Sequence, residues 1–308
     1  MNFVKDCGLM VEPQEGMDVG ELLAVAAFVE EIGFGYLFRS DHLLPTSRRK
    51  GLDSPECWTT LGAIAAKTST LKFGPMVSPI GFRNPALLAR MACTVDALAG
   101  GRLQLGVGAG WYGDEYLAHG FEFPDLRTRK RQFRESLRIL RPLTQVGRVD
   151  FEGEYFAAHL DGLSETKRRI HMIIGGRAPF IVRQTAAFGD EWNFFAPIPE
   201  NFDVLKAGLE ASGREIGISQ MGPFIVAENA SQLRARLGRE LRRRGVAGDD
   251  EVRVEALRKR GWLVGITDDF RETVNRLRER GVEKFYFQAL ETSDRDHVEL
   301  LASILKEM

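Results

Sequence analysis

The feature of this sequence that most limits its fold is a regular alternation of short apolar segments with longer amphipathic segments. The short segments are apolar almost throughout, which is typical of strands buried on both faces of a parallel sheet. The long segments carry apolar residues three and four positions apart, which predicts helices. The strand candidates occupy 3–11, 35–42, 71–79, 103–108, 170–174, 191–195, 221–226 and 283–290. The helix candidates occupy 18–32, 58–67, 84–98, 128–140, 179–188, 202–211, 231–260, 267–280 and 294–306.

The number and spacing of these units predict an α/β fold. Eight strand–helix units in 308 residues average about 38 residues each, which suits a (β/α)8 TIM barrel with modest insertions. An open, doubly wound parallel sheet is the alternative. No linker rich in proline, glycine and serine divides the chain, so we expect one domain over residues 1–308. Functional groups in such barrels gather where strands end, so the strand ends are the places to search.

The charge and cysteine content of the chain exclude several function classes. The 42 Lys and Arg residues balance 43 Asp and Glu to a formal net charge of −1, whereas proteins that bind nucleic acid or anionic membranes carry a basic surface. We therefore expect a small-molecule substrate, without nucleic acid or membrane. Cys7, Cys57 and Cys93 are too scattered for a disulfide framework or a zinc site, and the histidines show no metal-ligand spacing. With no signal-like opening segment, a cytoplasmic protein without a metal is expected.

The second strand candidate ends in a possible acid–base pair, Asp41 followed by His42. A buried aspartate beside a histidine can hold the imidazole in one tautomer, and a histidine so oriented can donate or accept a proton. We therefore predict that His42, oriented by Asp41, is catalytic. The alternative is that Asp41 caps the following loop and His42 is an ordinary packed polar residue.

The fourth strand candidate runs into a glycine-rich turn. Gly108, Gly110 and Gly113 match the dinucleotide pattern G-x-G-x-x-G, but a nucleotide-binding turn opens into a helix whose N-terminus receives phosphate. Here Asp114 and Glu115 occupy that place, and their charges would repel phosphate. We expect instead that Gly108 and Gly110 let a flat ligand approach the backbone.

The fifth strand candidate ends in the best anion site of the sequence. Gly175 and Gly176 free the backbone N–H groups to converge, and Pro179 begins a helix whose positive dipole end faces the same point. Arg177 can add a charged fork. We predict that 175–178 bind a phosphate, with an ordinary strand-to-helix turn as the alternative.

Several motifs together resemble one known family, the bacterial luciferase-like flavin oxidoreductases, and within it the branch that uses the deazaflavin coenzyme F420. Each motif alone is loose, but their order along nearly the whole chain is specific. The motifs are SDH at 40–42, NPALLAR at 84–90, ALAGGR at 97–102, LGVGAGW at 105–111, IGGR at 174–177, GDEWN at 189–193 and GITDDF at 265–270.

The resemblance implies a single luciferase-like (β/α)8 barrel with the flavin ring across its mouth. It implies a non-prolyl cis peptide near Met76–Val77 behind the ring, the cofactor phosphate at 175–177, and His42 beside the ring. Dimers are common in the family, so a homodimer is expected. The residues expected to contact the cofactor are Ser40, Met76, Val77, Gly108, Gly110, Gly175, Gly176, Arg177 and Ala178.

One position departs from the family pattern. Sugar-phosphate dehydrogenases of the F420 branch carry an acidic glutamate directly after the last glycine of the fourth-strand motif, where this sequence has Trp111. The resemblance therefore disfavours a sugar-phosphate substrate. We predict that Trp111 and Trp192 form apolar walls of the substrate pocket.

These observations leave several functions open. The leading hypothesis is an F420-dependent oxidoreductase that transfers a hydride between the deazaflavin and a small organic substrate. The alternatives are an FMN-dependent luciferase-like monooxygenase and a flavin-binding protein without turnover. A nicotinamide-dependent Rossmann enzyme is disfavoured, because the glycine motif follows a fourth strand and lacks the helix it needs.

Overall fold

The computed structural model describes residues 2–47, 51–52, 54–163, 169–243, 250–289, 292 and 294–308. Leu290, the last residue of the eighth strand candidate, lies outside these ranges, as do residues 244–249 of the predicted helical region 231–260. The strands within the described ranges are β1 (Cys7–Val11), β2 (Tyr36–Arg39), β3 (Lys72–Pro75), β4 (Ser78–Pro79), β5 (Gln104–Gly108), β6 (Val149–Glu152), β7 (Ala157–Leu160), β8 (His171–Gly175), β9 (Glu191–Phe195), β10 (Gly217–Ala227), β11 (Leu263–Ile266) and β12 (Lys284–Ala289).

The predicted barrel is confirmed. Its strands follow the order β3-β2-β1-β12-β10-β9-β8-β5-β4, and every pair along this path is parallel. A parallel bridge between Phe73 in β3 and Leu103 beside β5 brings the two ends of the path together. β3 and β4 are two parts of one strand position, separated by Met76 and Val77. The carboxyl ends of the barrel strands therefore meet at one mouth.

Helices join the strands and cover the outside of the barrel. The apolar stripes of most helices pack against the strands in one core, as the helical spacing predicted. The stripes of α8 and α9 pack in a separate, smaller cluster with β10 and β11. The helices are α1 (Val19–Glu31), α2 (Cys57–Lys67), α3 (Pro85–Leu98), α4 (Gly113–Ala118), α5 (Leu126–Val146), α6 (Pro179–Phe188), α7 (Phe202–Glu210), α8 (Ala230–Arg243), α9 (Asp250–Lys259), α10 (Thr267–Glu279) and α11 (Arg295–Lys306). None of these described helices has the length and apolar character required to cross a bilayer.

Several elements differ from the sequence prediction. The first strand candidate begins as a 3-10 turn, Phe3–Asp6, before β1. The antiparallel hairpin β6–β7 and the strand β11, which pairs with the end of β10, lie outside the ring of the barrel. The short helix α4 follows the glycine-rich turn. The hairpin was missed because most of its residues are exposed or half-buried, so it has no continuous apolar run.

The barrel interior is filled below its mouth. An apolar cluster that includes Met10, Phe38 and Ile173 occupies the middle of the barrel. At the amino end of β9, the fully buried Glu191 accepts hydrogen bonds from Lys284 Nζ at 2.6 Å and from Tyr286 Oη at 2.7 Å. These side chains leave the carboxyl end of the strands as the end where a ligand can enter.

The buried carboxylate of Glu191 is held in its charged form. Burial alone raises its pKa, but the hydrogen bond from His171 and the positive charge of Lys284 outweigh burial and lower the pKa to about 2. His171 Nε2 lies 3.2 Å from the carboxylate. This network lies at the amino end of the strands, away from the mouth. We therefore expect it to stabilise the barrel and not to bind a ligand.

Candidate active site

A large cavity opens at the carboxyl ends of the barrel strands. Its volume is about 710 Å³, which is within the range of sites for small molecules and cofactors. Residues in or after every strand position of the ring contribute to its wall. These residues are Met10, Glu12, Glu15, Ser40, His42, Thr46, Ser47, Met76, Val77, Pro79, Gly110, Trp111, Glu115, Gly175, Gly176, Arg177, Asn193, Phe195, Met221 and Gln288. The predicted second-strand and fifth-strand features therefore share one cavity.

His42 is oriented by Glu115 of α4. The Nδ1 atom of His42 lies 3.0 and 3.1 Å from the two carboxylate oxygens of Glu115. The same carboxylate accepts a hydrogen bond from the backbone N–H of Leu43 at 3.0 Å, and the Glu115 side chain is almost fully buried. Because Nδ1 is engaged, Nε2 is the ring nitrogen that can exchange a proton with a ligand.

The prediction that Asp41 orients His42 is wrong. Asp41 is buried and turns to Arg83, whose Nη1 and Nη2 donate to it at 2.6 and 3.2 Å. It also accepts a hydrogen bond from Ser78 Oγ at 2.6 Å. Neighbouring side chains at a strand end leave in different directions, so adjacency in sequence did not bring Asp41 to the imidazole. Asp41 instead ties the end of β2 to β4.

The environment of His42 favours the protonated imidazole. Burial on its own lowers the pKa of His42, but the hydrogen bond and negative charge of Glu115 outweigh burial and raise the pKa above its ordinary value. Glu12 and Asp41 act in the same direction through their charges. A histidine whose pKa is raised by a neighbouring carboxylate can serve as a general acid or, after losing its proton, as a general base.

Replacing Glu115 with glutamine is expected to lower the pKa of His42. The glutamine side-chain oxygen can still accept the hydrogen bond from the Leu43 backbone N–H. The negative charge that offsets the effect of burial on the His42 pKa is removed. The measurement is an NMR titration of the His42 Cε1–H signal. His159 on the exposed hairpin is an internal reference in the same sample. Its pKa is raised by Asp150 and Glu152, and the Glu115 substitution changes neither of them. An unchanged His42 titration would contradict the assigned role of Glu115.

The two predicted tryptophan walls have different outcomes. Trp111 lines the cavity, is 67% exposed, and packs edge-on against the His42 ring with 5.7 Å between ring centroids. Trp192, by contrast, is fully buried, donates its Nε1–H to Gly176 O at 2.8 Å and stacks on Phe202. Its placement on the pocket wall is wrong, because side chains alternate along β9 and the next residue, Asn193, faces the cavity.

The third-strand end matches the family resemblance. The peptide bond between Met76 and Val77 is cis, and both residues line the cavity. The nearby glycines make room for Val77: a Cβ at Gly108 would lie 2.5 Å from Val77 Cγ2, and one at Gly175 would lie 2.9 Å from Val77 Cγ1. Gly108 itself is not part of the cavity wall. Its prediction as a ligand contact is therefore corrected to a packing role, whereas Gly110 does line the cavity.

The fifth-strand turn lies on the cavity, but its donors differ from those predicted. The Gly176 N–H donates to Asn193 O at 2.9 Å, so it does not point into the cavity as a free donor. Ala178 is the N-cap residue of α6 and is not part of the cavity wall. No side chain among the described residues caps the N-terminus of α6, and Arg177 lines the cavity beside it. This combination fits the anionic tail of a cofactor.

Sequence reasoning missed several residues of the site. Glu115 was interpreted only as an obstacle to phosphate, and Glu12, Asn193 and Gln288 were not singled out, although each of these three follows or lies in a barrel strand. The common signal of Glu12, Asn193 and Gln288 is a polar residue in or directly after an apolar strand. Within the described ranges, no group of three or more His, Cys, Asp and Glu side chains could hold a metal. The three cysteines are buried.

Known proteins resemble this chain in sequence. The sequence profile of the luciferase-like monooxygenases matches residues 5–291. The chain is 32% identical over 208 residues to an F420-dependent glucose-6-phosphate dehydrogenase of Kineococcus radiotolerans. The aligned region covers 64% of this chain and 60% of that protein. It is 30% identical over 202 residues to a 5,10-methylenetetrahydromethanopterin reductase of Archaeoglobus fulgidus, with coverages of 65% and 56%.

A solved structure has the same fold. An F420-dependent secondary alcohol dehydrogenase, in complex with an F420-acetone adduct, superposes with a TM-score of 0.79 over 97% of both chains, at 18% identity. At this identity the similarity concerns the barrel alone. The matched region spans little more than half the length of the two curated relatives, so their activities do not transfer to this chain without further argument.

Proposed function

The chain belongs to the family of luciferase-like monooxygenases, and from this premise we propose that it is an F420-dependent oxidoreductase acting on a small organic substrate. One observation carries the proposal: the same cavity joins His42 with the turn at 175–177 and with Met76–Val77. Relatives named for F420 support this choice of cofactor. The deazaflavin, when bound, supplies a ring carbon that accepts or donates a hydride.

The cavity offers different environments for the two parts of this cofactor. Arg177 and the uncapped N-terminus of α6 would bind the anionic tail. Met76, Val77 and Gly110 form a wall without charged groups, against which a planar ring can rest. The protein's contribution is to position the ring against the substrate and to exclude water from the space between them.

His42 would handle the proton that accompanies hydride transfer. Its Nδ1 is engaged by Glu115, so Nε2 is the atom that gives the proton to, or takes it from, the substrate oxygen or nitrogen. Glu115 stabilises the imidazolium when it forms and holds the ring in one orientation. Asp41 does not take part in this step, because it is engaged by Arg83.

The alternative is an FMN-dependent monooxygenase, which the name of the matching family profile favours. Both cofactors are flavin-like rings with an anionic tail, so the cavity alone does not separate them. Titration of the purified protein with F420 and with FMN tests the choice, with Trp111 fluorescence as the signal because Trp111 lines the cavity. A Trp111→Phe variant identifies the part of the signal that arises there. Tight binding of FMN without micromolar binding of F420 would overturn the proposal.

Replacing Arg177 with alanine is expected to weaken F420 binding by about 1–3 kcal/mol, the scale of one lost charged hydrogen bond. Arg183 provides a control, since it lies on α6, the helix that follows Arg177, but outside the cavity wall. Arg183→Ala should leave the dissociation constant unchanged. Equal affinities of the Arg177→Ala variant and the unmodified protein would remove Arg177 from the cofactor site.

A further inference from the structure

A chain of hydrogen bonds fixes Glu12 at the side of the cavity formed by β1, β2 and β12. Gln288 Nε2 donates to Glu12 Oε1 at 2.5 Å, and Gln14 Nε2 donates to Glu12 Oε2 at 2.7 Å. Ser40 Oγ in turn donates to Gln14 Oε1 at 2.5 Å. Gln14 is fully buried, whereas Glu12, Ser40 and Gln288 line the cavity. The carboxylate therefore has a defined position and cannot move freely into solvent.

Three of the described carboxylates line this cavity, those of Glu12, Glu15 and Glu115. Two of them accept their hydrogen bonds from groups of the protein itself. Glu115 is engaged by His42. Glu15 accepts four hydrogen bonds from the backbone and hydroxyl groups of residues 46–47. Glu12 receives one neutral amide donor on each oxygen, although a carboxylate oxygen can accept two hydrogen bonds. Each oxygen of Glu12 thus retains one acceptor position.

The negative charge of Glu12 has no directly bonded cation in the described part of the chain. Its two donors are amides that carry no net charge. The charge of Glu12 raises the pKa of the His42 imidazole, but the hydrogen bond of that imidazole is with Glu115. Arg177 lies with the turn after β8, on the part of the wall proposed for the cofactor tail. A cation that entered from the cavity would stabilise a half-buried carboxylate in this position.

Resting on the proposed function, we propose that the substrate carries an ammonium group that binds to Glu12. Glu115 neutralises the imidazolium of His42, which leaves the charge of Glu12 for the substrate. The cavity wall also includes Met10, two positions before Glu12, and Phe195 at the end of β9, which can contact an apolar substituent. The site thus combines an anionic acceptor with an apolar surface, the pairing that a small hydrophobic amine requires.

The test uses three probes of similar size: benzylamine, benzyl alcohol and benzoate. Their dissociation constants are measured calorimetrically at neutral pH, with the protein alone and with F420 present. We expect benzylamine to bind at least about 10-fold more tightly than benzyl alcohol, because a hydrogen bond to a charged group is stronger than a neutral one. Benzoate should bind most weakly once F420 occupies the Arg177 side. Equal affinities for the amine and the alcohol, or tighter binding of benzoate with F420 present, would overturn the proposal.

Variants of Glu12 separate its charge from its shape. Glu12→Gln should weaken benzylamine binding by roughly 10-fold to 100-fold and change benzyl alcohol binding by less than about 3-fold. Glu12→Asp keeps the charge and should keep the preference for the amine. Glu152→Gln, on the exposed hairpin, is the control and should have no effect. If Glu12→Gln loses the same affinity for the amine as for the alcohol, the negative charge of Glu12 does not contribute to binding. That result would contradict the proposal.

The outcome is distinguishable from failure of the proposed function. Melting temperatures of the variants verify that each one folds, and the F420 titration is a separate measurement on the same samples. Absence of F420 binding in the unmodified protein would contradict the proposed function, while the amine preference is still measured with the protein alone. Binding of F420 without an amine preference would contradict only the role assigned to Glu12.

Discussion

Replacement of His42 with alanine is expected to lower turnover by roughly 10²–10⁴-fold, the contribution of a positioned general acid or base, while F420 remains bound. The prediction follows from the position of His42 on the cavity wall and from its contact with Glu115 through Nδ1. The measurement is the rate at which F420 absorbance changes with a substrate that the unmodified enzyme turns over, found in a panel of alcohols, aldehydes and amines. F420 affinity is measured in parallel by fluorescence titration.

Two further variants distinguish proton transfer from structural damage. His42→Gln can keep a hydrogen bond to Glu115 but cannot transfer a proton at this position, so its turnover should fall as it does in the alanine variant. The Nδ1 atom of His119 lies 2.8 Å from the backbone oxygen of Glu115, and His119 is not part of the cavity wall. His119→Gln should therefore retain full turnover. Unchanged turnover in His42→Ala would remove His42 from the mechanism.

Replacement of Glu191 with alanine is expected to lower the free energy of unfolding by about 3–5 kcal/mol at neutral pH, because it leaves a largely buried cation without its partner. The cation is Lys284, whose ammonium lies 2.6 Å from the carboxylate. Urea denaturation followed by circular dichroism measures the loss. Glu152→Ala, which removes an exposed carboxylate of the hairpin, is the control and should change stability by less than about 0.5 kcal/mol.

The pH dependence of stability is an independent test of the same group. Glu191 has a pKa of about 2 in the folded protein against an ordinary value of 4.5, a difference worth on the order of 3 kcal/mol. Because the folded-state pKa is lowered, this stabilisation is complete above the ordinary value and is lost as the pH falls toward 2. The Glu191→Ala variant should therefore lose less stability than the unmodified protein over that range. Parallel pH profiles would contradict the assignment.

The barrel was predictable because its signal is repeated. Each strand position contributes a run of apolar residues, and each helix contributes a stripe, so an error at one position does not change the fold. The exceptions are elements outside this repeat. The hairpin β6–β7 has few buried residues, and α4 is only six residues long, so neither produces a clear periodic pattern.

The site was predictable in its location but not in its contacts. The sequence indicated that 40–42, 76–77 and 175–177 meet at the mouth, and the cavity contains residues from all three. It did not indicate that Glu115 replaces Asp41 as the partner of His42, since the two glutamate oxygens reach the imidazole across 73 positions of the chain. It also did not indicate that Gly176 N–H would be engaged by Asn193.

The amino-acid pattern alone was sufficient to predict the class of fold, the family and the end of the barrel at which the cavity opens. These properties depend on the periodicity of apolar residues and on local motifs, which are carried by neighbours along the chain. The three-dimensional arrangement was needed to establish which carboxylate orients His42, which tryptophan faces the cavity and where Glu12 is held. Those outcomes depend on the directions of side chains from different strands, and a barrel of parallel strands brings together residues that are far apart in sequence.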